Sequence, residues 1–87
     1  MKHARENLGV VLAKDRMIYI TGGFGGSDNE YLKKCERFNF KEGVWEIIPD
    51  MTTPRAGHSL ISRGRYIYAI GGFDGEHILS SVERFDI

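Results

Sequence analysis

Three residue types in this 87-residue chain could carry chemistry on their own: histidine, cysteine and serine. The histidines are His3, His58 and His77. They fall in an N-terminal segment, a predicted inner strand and a loop. No two share the close spacing from which metal sites are built. The single cysteine, Cys35, opens a predicted strand with no histidine beside it in sequence to take its proton, so a nucleophilic thiolate is not indicated. Ser27, Ser80 and Ser81 lack the strained elbow that exposes a catalytic hydroxyl. Gly22-Gly23 and Gly71-Gly72 could cradle a phosphate, but a P-loop ends in Gly-Lys-Ser/Thr at the start of a helix, and neither pair does. The expectation is a chain that is not an enzyme and needs no cofactor.

The charge balance narrows the partners. Twelve basic residues offset twelve acidic ones. A net charge of zero speaks against a nucleic-acid binder working through a positive field, and against a polybasic membrane contact. Lys33-Lys34, and Arg63 with Arg65, read as solvated loop charge. One cysteine permits no disulfide within the chain, which points to a reducing compartment, the cytoplasm. The first residues are charged and no apolar stretch follows, so no secretory leader is expected. None of Asn7, Asn29 and Asn39 opens a glycosylation acceptor.

These residues are positioned by a repeat. Met17-Ile18-Tyr19-Ile20-Thr21-Gly22-Gly23-Phe24 returns 49 residues later as Tyr66-Ile67-Tyr68-Ala69-Ile70-Gly71-Gly72-Phe73. Glu36-Arg37-Phe38-Asn39 returns 47 residues later as Glu83-Arg84-Phe85-Asp86, so the second loop is two residues shorter. Met51 to Arg55 loosely echoes Met1 to Arg5. A period near fifty residues suits a four-stranded propeller blade. Short runs rich in β-branched and aromatic residues, bounded by glycine and charged turns, predict strands. Residues 8–13, 17–22, 35–40 and 44–49 give four strands, and 58–62, 66–70 and 81–87 give three more. The first two strands of each copy are apolar on both faces, as strands sandwiched between other blades are. The fold class is all-β.

Together these motifs resemble the Kelch repeat family. The apolar stretch ending in Gly22-Gly23, then Glu36-Arg37-Phe38, then Trp45 seven residues on, match its pattern in order, with Phe38 in place of the usual tyrosine. Met51-Thr52-Thr53-Pro54-Arg55 matches its inter-blade turn. The resemblance implies antiparallel four-stranded blades: a first in residues 1–49, and a second in 50–87 that lacks its outer strand and the tryptophan expected after Phe85. Phe38 and Trp45 are expected to fill the gap between blades, and Glu36-Arg37 and Glu83-Arg84 to form structural ion pairs or blade-to-blade hydrogen bonds.

By the same resemblance the function is protein recruitment, such as substrate recognition in a ubiquitin-ligase adaptor, or actin and cytoskeletal binding. The alternatives are an oxidase on the Kelch fold and a structural stub that assembles with its own copies. Partner-binding residues would lie after the Gly-Gly pairs and in the turn between blades. In this chain they are Phe24, Ser27, Asp28, Asn29 and Tyr31, then Phe73, Asp74 and His77, with Arg55 from the turn. Phe24 and Phe73 either tuck under their loops or stay exposed as anchors. Arg55 either clamps an acidic segment or braces its turn.

Two blades do not close a propeller, which takes roughly four to eight. A blade face four strands wide and five residues long covers roughly 300 Å². Leaving two such faces bare forgoes on the order of 15 kcal/mol of burial, comparable with a whole domain's stability. The remaining blades of a parent propeller, or other copies of the chain, are therefore expected partners.

Overall fold

The computed structural model describes residues 5–26 and 29–87. His3, Ser27 and Asp28, and the echo of the inter-blade turn in Met1 to Ala4, lie outside them. The described residues are all-β and form three antiparallel sheets. In chain order the strands are β1 (Arg5–Glu6), β2 (Gly9–Leu12), β3 (Ile18–Thr21), β4 (Phe24–Gly25), β5 (Glu30–Tyr31), β6 (Cys35–Asn39), β7 (Val44–Ile48), β8 (Ser59–Arg63), β9 (Tyr66–Ile70) and β10 (Val82–Asp86). A four-stranded sheet of order β2-β3-β6-β7 is the first blade, and a three-stranded sheet of order β10-β9-β8 is the second. The seven long strands fall within a residue or two of their expected bounds.

A small sheet of order β1-β4-β5 was not expected. Its strands are two residues long and sit where only loop was predicted. No periodic apolar pattern marks them, because a strand so short shows no alternation.

Local chemistry sets the turns. Asp15 caps the β2–β3 turn: its carboxylate accepts the Met17 amide at 3.1 Å and the Tyr19 hydroxyl at 2.5 Å. Asn39 closes the β6–β7 turn by accepting the Lys41 and Glu42 amides at 3.0 and 3.2 Å. Gly23 and Gly72 end the second strand of each copy at φ 97° and 93°. A Cβ on Gly23 would stand 2.7 Å from the Glu6 carbonyl oxygen, and one on Gly72 2.8 Å from that of Ala56. Both positions therefore require glycine, for backbone conformation and for space.

Register decides which residues share a face, since directly paired residues of an antiparallel sheet project to the same side. Tyr19 pairs Val11 and Thr21 pairs Cys35, which pairs Ile48. In the second blade Ala69 pairs Leu60 and Glu83, and Ile67 pairs Phe85. These two faces meet. Tyr19, Cys35, Ile48, Ile67 and Ala69 belong to one buried core, with Val11, Leu60 and Phe85 packed against it. Phe85 lies 6.0 Å from Tyr19, ring centre to ring centre.

The stacking is head to tail. Phe85 is the repeat equivalent of Phe38, so the second blade buries against its neighbour the face on which the first blade carries Phe38. Phe38 itself pairs Trp45, and the two rings pack 5.0 Å apart on the side away from the second blade. They are half-buried, and they share that side with Val10, Leu12 and Ile47, which are 54 to 64 % exposed. Between the two described blades the gap is instead filled from Tyr19 and Phe85.

Candidate functional site: the loop end of the two blades

The recurring Glu-Arg motif does not pair within itself. Successive residues on a strand point to opposite faces, so glutamate and arginine separate. Glu36 pairs with Arg5 at 2.5 Å, and both side chains are fully buried. The other end of the Arg5 guanidinium donates to the carbonyls of Gly22 and Lys34 at 2.8 and 2.7 Å. The second copy repeats the device. Arg55 donates from Nε to Glu83 at 3.1 Å and from Nη1 to the carbonyls of Gly71 and Ser81, both at 2.9 Å. Glu83 also accepts the Thr52 and Thr53 amides at 2.6 and 3.1 Å. Each blade thus ties its incoming turn to its second and third strands. Burial pushes the Glu83 carboxyl up, but those two amides and Arg55 outweigh it and leave it below its ordinary 4.5.

The two readings of Arg55 are thereby separated. Its side chain is 1 % exposed and each of its three guanidinium nitrogens is engaged, so it braces the turn and offers nothing to a partner. Arg37 pairs instead with Glu46 at 2.7 Å and reaches the Tyr19 hydroxyl at 3.3 Å. Arg84 lies with its guanidinium 4.3 Å over the Tyr66 ring.

What remains open at this end is aromatic. The loops after the two Gly-Gly pairs lie where β3 and β9 end and β2 and β8 begin. Phe24 pairs Tyr31 across β4–β5, with rings 4.9 Å apart and edge to face. Tyr31 then meets Phe73 from the other loop at 5.5 Å, again edge to face. Phe73 bridges Ala56 on one side and Ile78 on the other. Gly75 leaves room for the Tyr31 ring, since a Cβ there would come 2.9 Å from it. The three rings make a continuous strip across both blades. Phe24 and Tyr31 are half-buried, Phe73 is 36 % exposed and Ile78 is 88 % exposed. Phe24 and Phe73 therefore tuck partly under their loops while keeping an edge in solvent.

The polar residues around the strip are mostly occupied in shaping it. Asp74 accepts the Glu76 and His77 amides at 2.8 and 2.7 Å, and the His77 and Glu76 amides hold its carboxyl below the usual range. His77 is open to solvent, 3.9 Å from the Asp74 carboxylate. Asn29 supports a turn at φ 49°. Ile78 was not foreseen as a site residue. The one signal for it was an isoleucine in the polar turn 74–78.

Burial pushes the Cys35 thiol up to about 11, so it stays protonated. His58 bonds the Thr21 hydroxyl at 2.7 Å. Among the described residues, no three His, Cys, Asp or Glu side chains cluster as a metal site.

A family model for the Kelch motif matches the chain twice, over residues 9–52 and 54–87. The chain belongs to the Kelch repeat family. It is 41 % identical over 70 residues to Kelch-like protein 36 of Rattus norvegicus, covering 80 % of this chain and 11 % of that protein. Kelch-like protein 8 of Mus musculus is 39 % identical over 70 residues, again covering 80 % of this chain and 11 % of the relative. A Caenorhabditis elegans protein named for Kelch repeats and a BTB domain is 32 % identical over 70 residues, 80 % of this chain and 12 % of that one. The chain thus spans about a tenth of the length of these curated relatives. Within the Kelch frame, the matched segments begin at β2 and just before Arg55, so the second includes its own Arg55–Glu83 brace.

Proposed function

We propose that this Kelch segment is a protein-interaction module that binds its partner through the loop end. Phe24, Tyr31, Phe73 and Ile78 are the apolar anchors, rimmed by Asn29, Asp74 and His77. One observation carries this reading. An unbroken aromatic strip crosses two loops and ends in an isoleucine that is 88 % exposed. A stacked core does not require that arrangement, whereas partially exposed aromatic clusters are the usual anchors of protein interfaces. The similarity to Kelch-like proteins supports the finer reading, a substrate-recruiting part of a ubiquitin-ligase adaptor in the cytoplasm. The buried, protonated Cys35 suits a reducing compartment.

Comparative affinity capture with quantitative mass spectrometry tests the proposal. Three baits are used: the wild-type chain, the double variant Phe73→Ala/Ile78→Ser, and Ile47→Ser as an exposed apolar control on the outer blade face. Proteins captured by the wild type should fall about tenfold with the loop variant, the loss expected of two interface anchors, and be retained by the control. Equal capture by all three baits would overturn the loop assignment.

A further inference from the structure

The charges of the chain balance in number but not in place. Strand direction puts the turns 13–17, 40–43 and 63–65 at one end of the blades and the aromatic strip at the other. Lys14, Arg16, Lys41 and Arg63 lie in those turns with Asp15 and Glu42, while Arg65 is paired by Asp86. The strip end carries the exposed carboxylates of Glu6, Glu30, Asp50 and Glu76, and the partly buried Asp74. A net charge of zero thus conceals a basic end and an acidic one.

The lysines at the acidic end do not offset the strip. Lys33 and Lys34 line one cleft of about 260 Å³ with Glu30 and Asp50, and those four charges offset one another. The rim of the strip itself is acidic. Glu6 pairs Phe24, which pairs Tyr31, so by register the glutamate and both rings project to one face of the small sheet. Across the strip, Asp74 and Glu76 stand in the turn between Phe73 and Ile78, which bridge each other. Glu6 and Glu76 are exposed and enter no ion pair among the described residues. The His77 and Glu76 amides keep Asp74 ionised. Among the described residues of this rim, the only basic side chain is His77, 3.9 Å from Asp74.

Taking the loop end as the partner site, we propose that the segment it receives is basic as well as apolar. Aliphatic or aromatic side chains cover Tyr31, Phe73 and Ile78, and arginine or lysine reaches Glu6 on one side and Asp74 with Glu76 on the other. Any apolar contact on the strip also takes water from these flanking carboxylates. A cation replaces that water, a neutral segment does not, and an acidic segment adds repulsion. Arginine also packs on aromatic faces, as Arg84 does on Tyr66 within this chain at 4.3 Å. Apolar contacts hold the complex, while the charges guide encounter and reject acidic segments.

The probe is a library of random peptides displayed on phage, selected in parallel on the wild-type 87-residue chain, on Phe73→Ala/Ile78→Ser and on the charge-reversed Glu6→Lys/Glu76→Lys. Asp74 is left in place because it shapes its turn. Peptides enriched by the wild type and lost on Phe73→Ala/Ile78→Ser should combine apolar residues with arginine or lysine, and the charge-reversed chain should enrich aspartate and glutamate instead. The best wild-type peptide should associate about tenfold more slowly with the charge-reversed chain, and more slowly with the wild type as salt is raised, with little change in its dissociation rate. Peptides that need Phe73 and Ile78 but are neutral or acidic, or that bind the charge-reversed chain equally well, overturn the basic partner and leave the loop site standing. Enriched peptides indifferent to Phe73→Ala/Ile78→Ser, or no enrichment at all, overturn the loop site and the basic partner together.

Discussion

His58 shows how much a single side chain can carry at the seam. Its Nε2 holds the Thr21 hydroxyl of the first blade, and its Nδ1 has no hydrogen-bond partner among the described residues. Burial lowers its pKa below the ordinary 6.5. The Arg55 cation lowers it further, while the Glu83 carboxylate pulls the other way. A depressed folded value means that the unfolded chain takes up this proton first. The contribution is therefore fully present above about pH 6.5 and declines as the pH falls toward the folded value. Glu83, held below 4.5, loses its contribution only in a separate and more acidic window. His58→Gln keeps a polar group for Thr21 and removes the titration. Urea midpoints of the wild type should fall relative to His58→Gln between pH 7 and pH 5, and parallel pH profiles would contradict this. The sequence already showed Glu36 and Glu83 as recurrent residues. It did not reveal their partners, because the bond runs to an arginine some thirty residues earlier and not to the adjacent one.

At the scale of elements, the long strands were legible in the sequence and the loop sheet was not. Ile18–Thr21 and Tyr66–Ile70 announce themselves through β-branched and aromatic residues ended by a glycine pair. β1, β4 and β5 are created by the packing of the turns around Gly23, which no local pattern encodes. The aromatic strip shares that origin. Phe24, Tyr31 and Phe73 are each candidates in the sequence, but their contact across two loops depends on how the blades stack, and so does the exposure of Ile78. The glycine that ends β9 gives a test at this level. Gly72→Ala meets both a disfavoured φ and the Ala56 carbonyl, and should cost about 2–3 kcal/mol. Gly64→Ala also meets a positive φ, 59°, but has open space around it, and should cost about 1 kcal/mol. Urea midpoints compare the two, and equal shifts would refute the packing argument.

For the whole molecule, the governing fact is that the buried seam uses only one face of each blade. The outer face of the first blade carries Val10, Leu12 and Ile47 at 54 to 64 % exposure. That of the second carries Ile61 and Val82 at 48 and 56 %. By the repeat, the first is the kind of face that the second blade buries, and the second is the kind of face that receives it. Such complementary, non-identical surfaces associate head to tail. Light scattering of the 87-residue chain across a dilution series, with near-ultraviolet circular dichroism on the same samples, tests this most directly. The account predicts a concentration-dependent mass above that of one chain, and a decrease in that mass when Ile47→Ser and Ile61→Ser are introduced together. A single-chain mass at every concentration, with a sharp aromatic spectrum, would show that these faces need no neighbours and would contradict the account.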